Sequence, residues 1–185
     1  MMQPNILIIQ VDELAPQAMP TYGNKTAITP VLNDLGARSM VFDAAYCNYP
    51  LCSPSRASMH AGRHAFAMRQ WDNGAEFHSE FPTFAHHLKR AGYSTTLCGK
   101  MHFIGADQYH GYEERLTTDI YPSDFSWTTD WSNPIRKGGG VRMRNVVDAG
   151  PSIRNLQQDF DEEVGFQGVR KIYDLARDPD DRPFL

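Results

Sequence analysis

Residues 47–63 read CNYPLCSPSRASMHAGR and hold the pattern C-x-P-S-R, formed by Cys52, Pro54, Ser55 and Arg56. Proline suits the first turn of a helix, because its φ is fixed and its missing N–H would be unpaired there. We therefore predict a helix that begins near Pro54 with Cys52 at its N-terminus, where free N–H groups and the helix dipole favour negative charge. Arg56 adds a cation with a planar fork of donors. The pattern predicts a site for an anionic ester, whereas a lone cysteine here would more often be a buried structural residue.

Length and composition indicate a globular domain with enough chain for a core: 185 residues, of which 41% are hydrophobic and 22% are charged. The net charge of −4 gives no reason to expect a nucleic-acid partner. No apolar run is long enough to span a membrane, and no basic segment precedes an apolar stretch as in a signal peptide. We expect a cytoplasmic protein without a membrane partner, in which Cys47 and Cys98 are reduced and buried.

An acidic pair follows the first apolar run of the chain. Residues 5–11, NILIIQV, are typical of a buried parallel strand, and Asp12 and Glu13 come directly after them. Ligands gather at the carboxyl ends of strands in open α/β sheets, and calcium and magnesium prefer oxygen ligands. The pair is therefore a candidate metal site, although acids at strand ends are often solvated loop residues.

The remaining elements alternate between helices and short strands. Helices are predicted over residues 29–38, over 82–91 with a stop at Gly92, and over 159–177. Strands are predicted over residues 40–46, 93–98 and 184–185. Residues 63–81 are expected to be a surface excursion. His60 and His64 are expected not to bind zinc, which needs further ligands of suitable geometry.

A cation and an imidazole follow the predicted strand 93–98. Residues 99–102 read GKMH, so Lys100 and His102 occupy alternate positions and face the same way if the segment is extended. This pair suits an anionic leaving group and proton transfer. The alternative is a solvent-facing lysine beside a chance histidine.

Three motifs together resemble the type I sulfatase family. They are C-x-P-S-R followed by Gly62 and Arg63, the opening PNIL run with its acidic pair, and the G-K-x-H segment. The resemblance implies that Cys52 is the precursor of formylglycine, an aldehyde that is hydrated in the resting enzyme. It also implies that Asp12, Glu13 and the modified Cys52 hold Ca²⁺, or Mg²⁺ or Mn²⁺. Asp12 is the safer ligand, because Glu13 stands where the family more often has Asp.

The activity that the resemblance implies is hydrolysis of a sulfuric ester. One hydroxyl of the formylglycine hydrate attacks sulfur, the alcohol leaves with help from Lys100 and His102, and the second hydroxyl then expels sulfate. Arg56 stabilises the formylglycine region. The implied partners are a small-molecule sulfate ester and a formylglycine-generating enzyme, and homo-oligomer formation by the full-length protein is left open.

The run at residues 110–131, within the long loop region 103–151, resembles the choline-sulfatase branch of the family, as do the PTFAHHL and GKMHF segments. A long irregular stretch in a compact domain is usually functional, and its aromatic content argues against disorder. Choline carries a quaternary ammonium, which favours an aromatic face. Trp127 is the first candidate for that face and Trp131 the second, the alternative being that both only anchor the loop.

The fold class implied is α/β, the alkaline-phosphatase-like three-layer sandwich of the sulfatases with mostly parallel central strands. Residues 1–185 are expected to be the N-terminal part of the catalytic domain, with 103–151 as its substrate-side loop region, because the family places further metal ligands downstream. Two alternatives stay open. One is a phosphonate or phosphate monoester hydrolase of the same superfamily, since sulfate and phosphate are similar tetrahedral anions. The other is a non-catalytic fragment.

Overall fold

A computed structural model describes residues 3–128, 132 and 143–185. These residues form five helices and two short strands: α1 (Pro30–Ala37), α2 (Cys52–Ala61), α3 (Phe84–Arg90), β1 (Thr96–Leu97), β2 (Glu114–Arg115), α4 (Met143–Val147) and α5 (Leu156–Leu175). Single 3-10 turns lie at Pro16–Ala18, Pro20–Tyr22, Ala65–Met68 and Phe125–Trp127. The chain packs as two units, Met1–Ile8 with Asn48–Leu185, and Ile9–Cys47.

Parallel pairing organises the larger unit. β1 pairs with β2 in register Thr96 to Glu114, and Ser94 makes a parallel bridge to Phe184. On the far side of Phe184, its carbonyl accepts a hydrogen bond of 2.8 Å from the N–H of Ile6. Four segments therefore lie side by side, in the order Ile6, Phe184, Ser94 and β2. The parallel arrangement agrees with the predicted fold class.

The predicted strands are longer than the observed ones. Residues 5–11 and 40–46 form no strand, and most of their apolar side chains are exposed. The predicted strand 93–98 is reduced to β1 and the bridge at Ser94. A strand needs a run of backbone hydrogen bonds to a neighbouring segment, and among the described residues the bond from Ile6 to Phe184 does not by itself make one. The predicted strand at residues 184–185 is confirmed at Phe184, which pairs in parallel with Ser94.

The helices agree better with the sequence pattern. α1, α3 and α5 lie where they were predicted, and Gly92 follows α3 with a φ of +96°, which glycine adopts without strain. α5 begins at Leu156, three residues before the predicted start. Asn155 caps it by accepting a hydrogen bond from the N–H of Gln158. None of the residues of α5 is fully buried.

The core of the larger unit lies between α2, α3 and β1. Its buried cluster comprises Ala57, Met68, Phe77, Ala85, Leu97, Phe103 and Tyr112. Met68 and Phe77 fall in the stretch 63–81, so the prediction that this stretch is only a surface excursion is wrong. Its apolar side chains are too widely spaced to show a helix or strand period, yet they fill the space under α2.

The three cysteines differ in exposure. Cys47 is exposed, whereas Cys52 and Cys98 are half-buried. Burial raises the pKa of the Cys98 thiol, which lies 3.4 Å from the carbonyl oxygen of Val164. The prediction that Cys47 is buried is wrong, because residues 40–47 have no strand partner among the residues that the structure describes. Among the described residues, no helix combines the length and the apolar character that crossing a membrane requires.

Candidate active site

Helix α2 places Cys52 in its first turn. The helix begins at Cys52 itself, two residues before the predicted start, because Leu51 takes the extended N-cap conformation. Pro54 still lies in the first turn, where no N–H is needed. The N–H of Ser53 finds a partner outside the helix, the side-chain oxygen of Asn73 at 3.0 Å. The N-terminus of α2 is thus held from the loop that follows it.

The structure brings Cys52 and Lys100 together across 48 positions of the chain. The distance from Lys100 Nζ to Cys52 Sγ is 3.6 Å. The same ammonium lies 4.5 Å from the centre of the Tyr121 ring, within the range of a cation–π contact. A positive charge therefore lies beside the side chain at the start of α2.

Arg56 joins the two motifs through the backbone. Its side chain is buried, with 3% of its surface exposed, and one guanidinium N–H donates to the carbonyl oxygen of Lys100 at 2.9 Å. The sulfur of Met101 lies 3.9 Å from the same nitrogen. Arg56 therefore fixes the position of the segment that carries Lys100 and adds a second positive charge beneath the site.

His102 does not lie in an extended segment, so that part of the prediction is wrong. Its φ is +54°, in the left-handed region, and only 1% of the residue is exposed. The imidazole lies 4.9 Å from the Trp127 ring, edge to face, and 6.1 Å from Tyr121. The backbone turns at His102 because side chains from the next segment, described below, accept its N–H groups in place of a strand.

Side chains after β2 continue the parallel pairing where the backbone ladder ends. The N–H of Gly99 donates to Thr117 Oγ1 at 2.8 Å. The N–H groups of Met101 and His102 both donate to Asp119 Oδ2, at 3.0 and 2.5 Å. The guanidinium of Arg115 also reaches this carboxylate, at 3.2 Å. Residues 117 and 119 thus supply the acceptors that hold the segment 99–102.

Trp127 lies beside His102, whereas Trp131 falls outside the described residues. The indole N–H of Trp127 donates to the carbonyl oxygen of Pro122 at 2.8 Å, and its ring packs edge to face against Tyr121 at 5.8 Å. The side chain is half-buried. The indole is therefore held by the loop beside the buried imidazole of His102.

Asp12 and Glu13 belong to the unit Ile9–Cys47, and both are exposed. Glu13 has a φ of +57°. Their carboxylate oxygens are the donors that a hard cation prefers. No group of three or more His, Cys, Asp or Glu side chains capable of holding a metal occurs within residues 3–128, 132 and 143–185. The donor type is one that calcium and magnesium prefer, and the assignment of Asp12 and Glu13 as metal ligands stays a prediction.

His60 lies on the buried face of α2, and both of its ring nitrogens make hydrogen bonds within the protein. A carbonyl oxygen can only accept, so Nδ1 of His60 carries the proton that bonds the Arg56 carbonyl at 2.8 Å. Nε2 then accepts from the Tyr112 hydroxyl at 3.0 Å. Burial lowers the pKa of His60 to about 4, since the charged form loses its hydration. The imidazole is neutral at pH 7 and has both nitrogens occupied.

Three residues of the site were missed from the sequence: Asn73, Asp119 and Tyr121. Asn73 caps a helix that begins 20 residues earlier, so no capping pattern signals it. Asp119 and Tyr121 fall in a loop without hydrophobic period. Their alternation with Thr117 along a segment that follows a strand is the only signal that the sequence carries.

Comparison with known proteins places this geometry in a family. The chain matches the Sulfatase family model over residues 4–185. It is 46% identical to the choline-sulfatase of Rhizobium meliloti over 181 residues, which cover 97% of this chain and 35% of that protein. It is 31% identical to an N-acetylglucosamine-6-O-sulfatase of Bacteroides thetaiotaomicron, over 74% of this chain and 25% of that protein.

Solved structures of sulfatases are also similar to this chain. The structure of BT4656 in complex with its substrate D-glucosamine-2-N,6-O-disulfate aligns with a TM-score of 0.58 and 32% identity, over 62% of this chain and 23% of that one. BT1596, a 2-O GAG sulfatase, aligns with a TM-score of 0.56 and 26% identity, over 63% and 26%. The matched part of this chain covers about a third of the length of the choline-sulfatase. It covers about a quarter of the length of the N-acetylglucosamine-6-O-sulfatase and of the two solved structures. The chain belongs to the sulfatase family.

Proposed function

We propose that this protein, as part of a complete sulfatase, hydrolyses sulfate esters through a nucleophile derived from Cys52. The observation that carries the proposal is the 3.6 Å contact between Cys52 Sγ and Lys100 Nζ. Two motifs that are distant in sequence meet there, with the Arg56 guanidinium bonded to the backbone between them. A sulfate ester carries a negative charge, which positive side chains in a partly buried site attract strongly.

The side chains of this chain have separate roles in the proposal. Formylglycine at position 52 supplies a hydrated aldehyde oxygen as the nucleophile. The Lys100 ammonium binds a sulfate oxygen, and Arg56 keeps the Lys100 backbone in place while adding positive potential. His102 gives a proton to the leaving oxygen, which departs as the alcohol. The aromatic rings of Tyr121 and Trp127 exclude water from this side of the imidazole.

We assign the metal to the carboxylates that follow the first apolar run. Asp12, with Glu13 beside it, would hold calcium, or magnesium or manganese, and the ion would polarise the sulfate oxygens. Chelation should lower the activity of the complete protein and added calcium should restore it. Activity that is indifferent to chelators would remove the metal from the proposal.

Choline sulfate is the proposed substrate, and a cytoplasmic location stays a prediction. The 46% identity to a choline-sulfatase supports this choice, as does the position of Trp127 at 4.9 Å from His102. An indole face next to the leaving oxygen is suited to the quaternary ammonium of choline. Trp131 stays a second candidate.

The experiment uses the complete polypeptide that carries residues 1–185, expressed with a formylglycine-generating enzyme. Intact mass should show one sulfur replaced by one oxygen and two hydrogens lost at Cys52, with hydration of the aldehyde. Choline sulfate should be turned over. Cys52→Ala should abolish turnover and change the free energy of unfolding by no more than about 1 kcal/mol, because little buried area is removed. Cys47→Ala, at an exposed thiol, is the matched control and should keep full activity.

Other outcomes distinguish the alternatives. Faster turnover of an aryl phosphonate than of an aryl sulfate would assign the protein to the phosphonate or phosphate monoester hydrolases. Normal activity of Cys52→Ala would exclude Cys52 as the source of the nucleophile. A complete polypeptide that matures but cleaves none of these esters would favour a non-catalytic role.

A further inference from the structure

We propose that Asp119 is a positioning residue that fixes His102 for proton transfer to the leaving alcohol, an inference that rests on the sulfatase function proposed above. Its Oδ2 accepts the backbone N–H groups of both Met101 and His102, at 3.0 and 2.5 Å. No other side chain in the described part of the chain accepts two consecutive N–H groups next to a proposed catalytic residue. The carboxylate therefore sets where the backbone at His102 can lie.

Burial makes this contact stiff. The side chain of Asp119 is 3% exposed and that of Arg115 is 8% exposed, with 3.2 Å between Arg115 Nη2 and Asp119 Oδ2. Arg115 is held in turn by Gln108, whose carbonyl oxygen and side-chain oxygen lie 3.0 and 2.8 Å from its Nη1. A buried ion pair with further hydrogen bonds is costly to disturb, because either charge alone would be left without compensation.

The backbone at His102 needs such a partner. A φ of +54° is sparsely populated for a residue with a Cβ and costs energy that the surroundings must offset. The two hydrogen bonds to Asp119 are charge-assisted, and these are stronger than neutral ones. They select the left-handed conformation, which turns the imidazole toward Trp127 and Tyr121 and away from the direction that an extended segment would give.

The chemical consequence concerns the leaving group. In the proposed reaction a new S–O bond forms to the nucleophile while the ester S–O bond breaks with its electron pair. The ester oxygen takes a proton and leaves as the alcohol. An alkoxide is a poor leaving group and depends strongly on this proton, whereas a nitrophenolate leaves readily without it. Misplacing His102 should therefore harm the two kinds of ester unequally.

The test compares Asp119→Asn with the unaltered complete polypeptide on choline sulfate and on p-nitrophenyl sulfate. Asparagine keeps the size of the side chain but loses the charge that binds Arg115 and strengthens the two hydrogen bonds. We expect kcat/KM for choline sulfate to fall at least about 30-fold further than kcat/KM for p-nitrophenyl sulfate, as expected when general-acid catalysis is impaired. An equal loss on both esters, or no loss on either, overturns the inference.

Asp107→Asn is the matched control. Asp107 also accepts two backbone N–H groups in the same loop region, those of Tyr109 and His110, both at 2.9 Å, but it lies beside His110 and not beside His102. It should lower stability without any preference between the two esters. The same bias in Asp107→Asn would show that any softening of the loop produces the effect, and would also overturn the inference.

A double-mutant cycle tests whether Asp119 acts through His102. In the background of His102→Gln, the further change Asp119→Asn should alter kcat/KM for choline sulfate by less than about two-fold, since the group that it positions is gone. A loss as large as in the unaltered protein would contradict a positioning role. If Asp119→Asn does not fold, Arg115→Lys should give the same bias between esters, though smaller, and equal losses would again contradict it.

Failure of the proposed function gives a different result. In that case the unaltered and matured polypeptide cleaves neither sulfate ester, and both proposals fall together. When the unaltered protein cleaves both esters and only the bias is missing, the sulfatase function stands and Asp119 is a structural residue.

Discussion

The ammonium of Lys100 lies 4.5 Å from the centre of the Tyr121 ring and 3.6 Å from the sulfur of Cys52. An aromatic ring holds a cation through its quadrupole and carries no net charge. A carboxylate in the same place would hold Lys100 more tightly but would cancel the field that attracts an anion. Tyr121 thus orients Lys100 without cancelling its charge.

Trp127→Ala tests the choline assignment at the scale of one residue. Cation–π attraction to an indole is worth about 0.5 to 2 kcal/mol, depending on how far water is excluded. We therefore expect kcat/KM for choline sulfate to fall about three- to thirty-fold, since each 1.4 kcal/mol is a factor of ten. The measurement is steady-state kinetics on the complete polypeptide, with a sulfate ester of an uncharged aryl alcohol as the second substrate.

The aryl sulfate should be affected much less, because it has no cation that could lose a contact. Equal losses on the two substrates would mean that Trp127 only supports the loop through its bond to Pro122. Trp127→Phe is the matched variant, which keeps a ring beside His102 and should recover most of the loss.

Single residues were predictable where a short pattern carries the chemistry. Cys52, Arg56 and Lys100 stand in such patterns, and the structure brings them together. Whether they act as proposed stays a prediction. Asp119 was not predictable, because its contacts depend on where a loop passes a segment 17 residues earlier.

At the scale of elements, helix α3 is fixed at its start by Thr83. The Thr83 hydroxyl donates to the buried carbonyl oxygen of His110 at 2.5 Å and lies 3.4 Å from the N–H of His86. His86 completes a capping box, because its Nδ1 accepts from the N–H of Thr83 at 3.1 Å. His86 therefore has a defined structural role at the start of α3.

Thr83→Ala should lower the free energy of unfolding by about 2 to 4 kcal/mol. The change removes a helix cap, worth about 1 kcal/mol, and leaves the His110 carbonyl buried without its donor, which costs about 1 to 3 kcal/mol. Urea unfolding followed by circular dichroism measures the loss. Thr83→Ser keeps the hydroxyl and should cost less than about 1 kcal/mol. Similar losses in both variants would show that the methyl packing matters and the hydrogen bonds do not.

Helices were predicted better than strands for a physical reason. The bonds of a helix are local, so a cap such as Thr83 and a stop such as Gly92 are readable from the chain itself. A strand depends on a neighbour that is distant in sequence. The apolar run 5–11 and the residues 40–46 show the pattern of strands without, among the described residues, the neighbours that would make them so.

The stability of the whole molecule should depend on pH through His60. Its pKa is about 4 in the folded state because burial disfavours the charged form, against an ordinary value of 6.5. The unfolded chain takes up a proton below about pH 6.5, and the folded chain does so only near pH 4. The contribution of His60 to the free energy of unfolding is therefore fully present above pH 6.5. It is lost as the pH falls from 6.5 to 4, by at most about 3 kcal/mol.

The measurement is urea unfolding at pH 7, 5.5 and 4.5 for the unaltered protein and for His60→Gln. The variant should be less stable at pH 7, because it loses the stacking of the imidazole on Phe84, but its stability should fall less between pH 7 and 4.5. His110 contributes in the same direction, since burial also lowers its pKa to about 4. An unchanged slope in His60→Gln would mean that His60 is not the titrating group.

At the scale of the whole molecule, the fold class was predictable from the sequence, but the burial of the apolar segments was not. The parallel pairing and the helix order agree with the α/β sandwich that the motifs indicated. The apolar run at residues 5–11 predicted a buried strand, but most of its side chains lie exposed within the described chain. A hydrophobic pattern states that a surface needs a cover and contains no information about which segment covers it.

The unequal exposure of the three cysteines gives a way to follow maturation by counting thiols. Alkylating reagents attack the thiolate, so the raised pKa of Cys98 slows its labelling in the native protein, while the exposed Cys47 is labelled at once. Native labelling should therefore report on Cys47 and, more slowly, on the half-buried Cys52. After denaturation, residues 1–185 should take three labels in an immature molecule and two in a mature one. Three minus the mean number of labels on this segment gives the fraction of molecules that carry the aldehyde, without any substrate and before any turnover is measured.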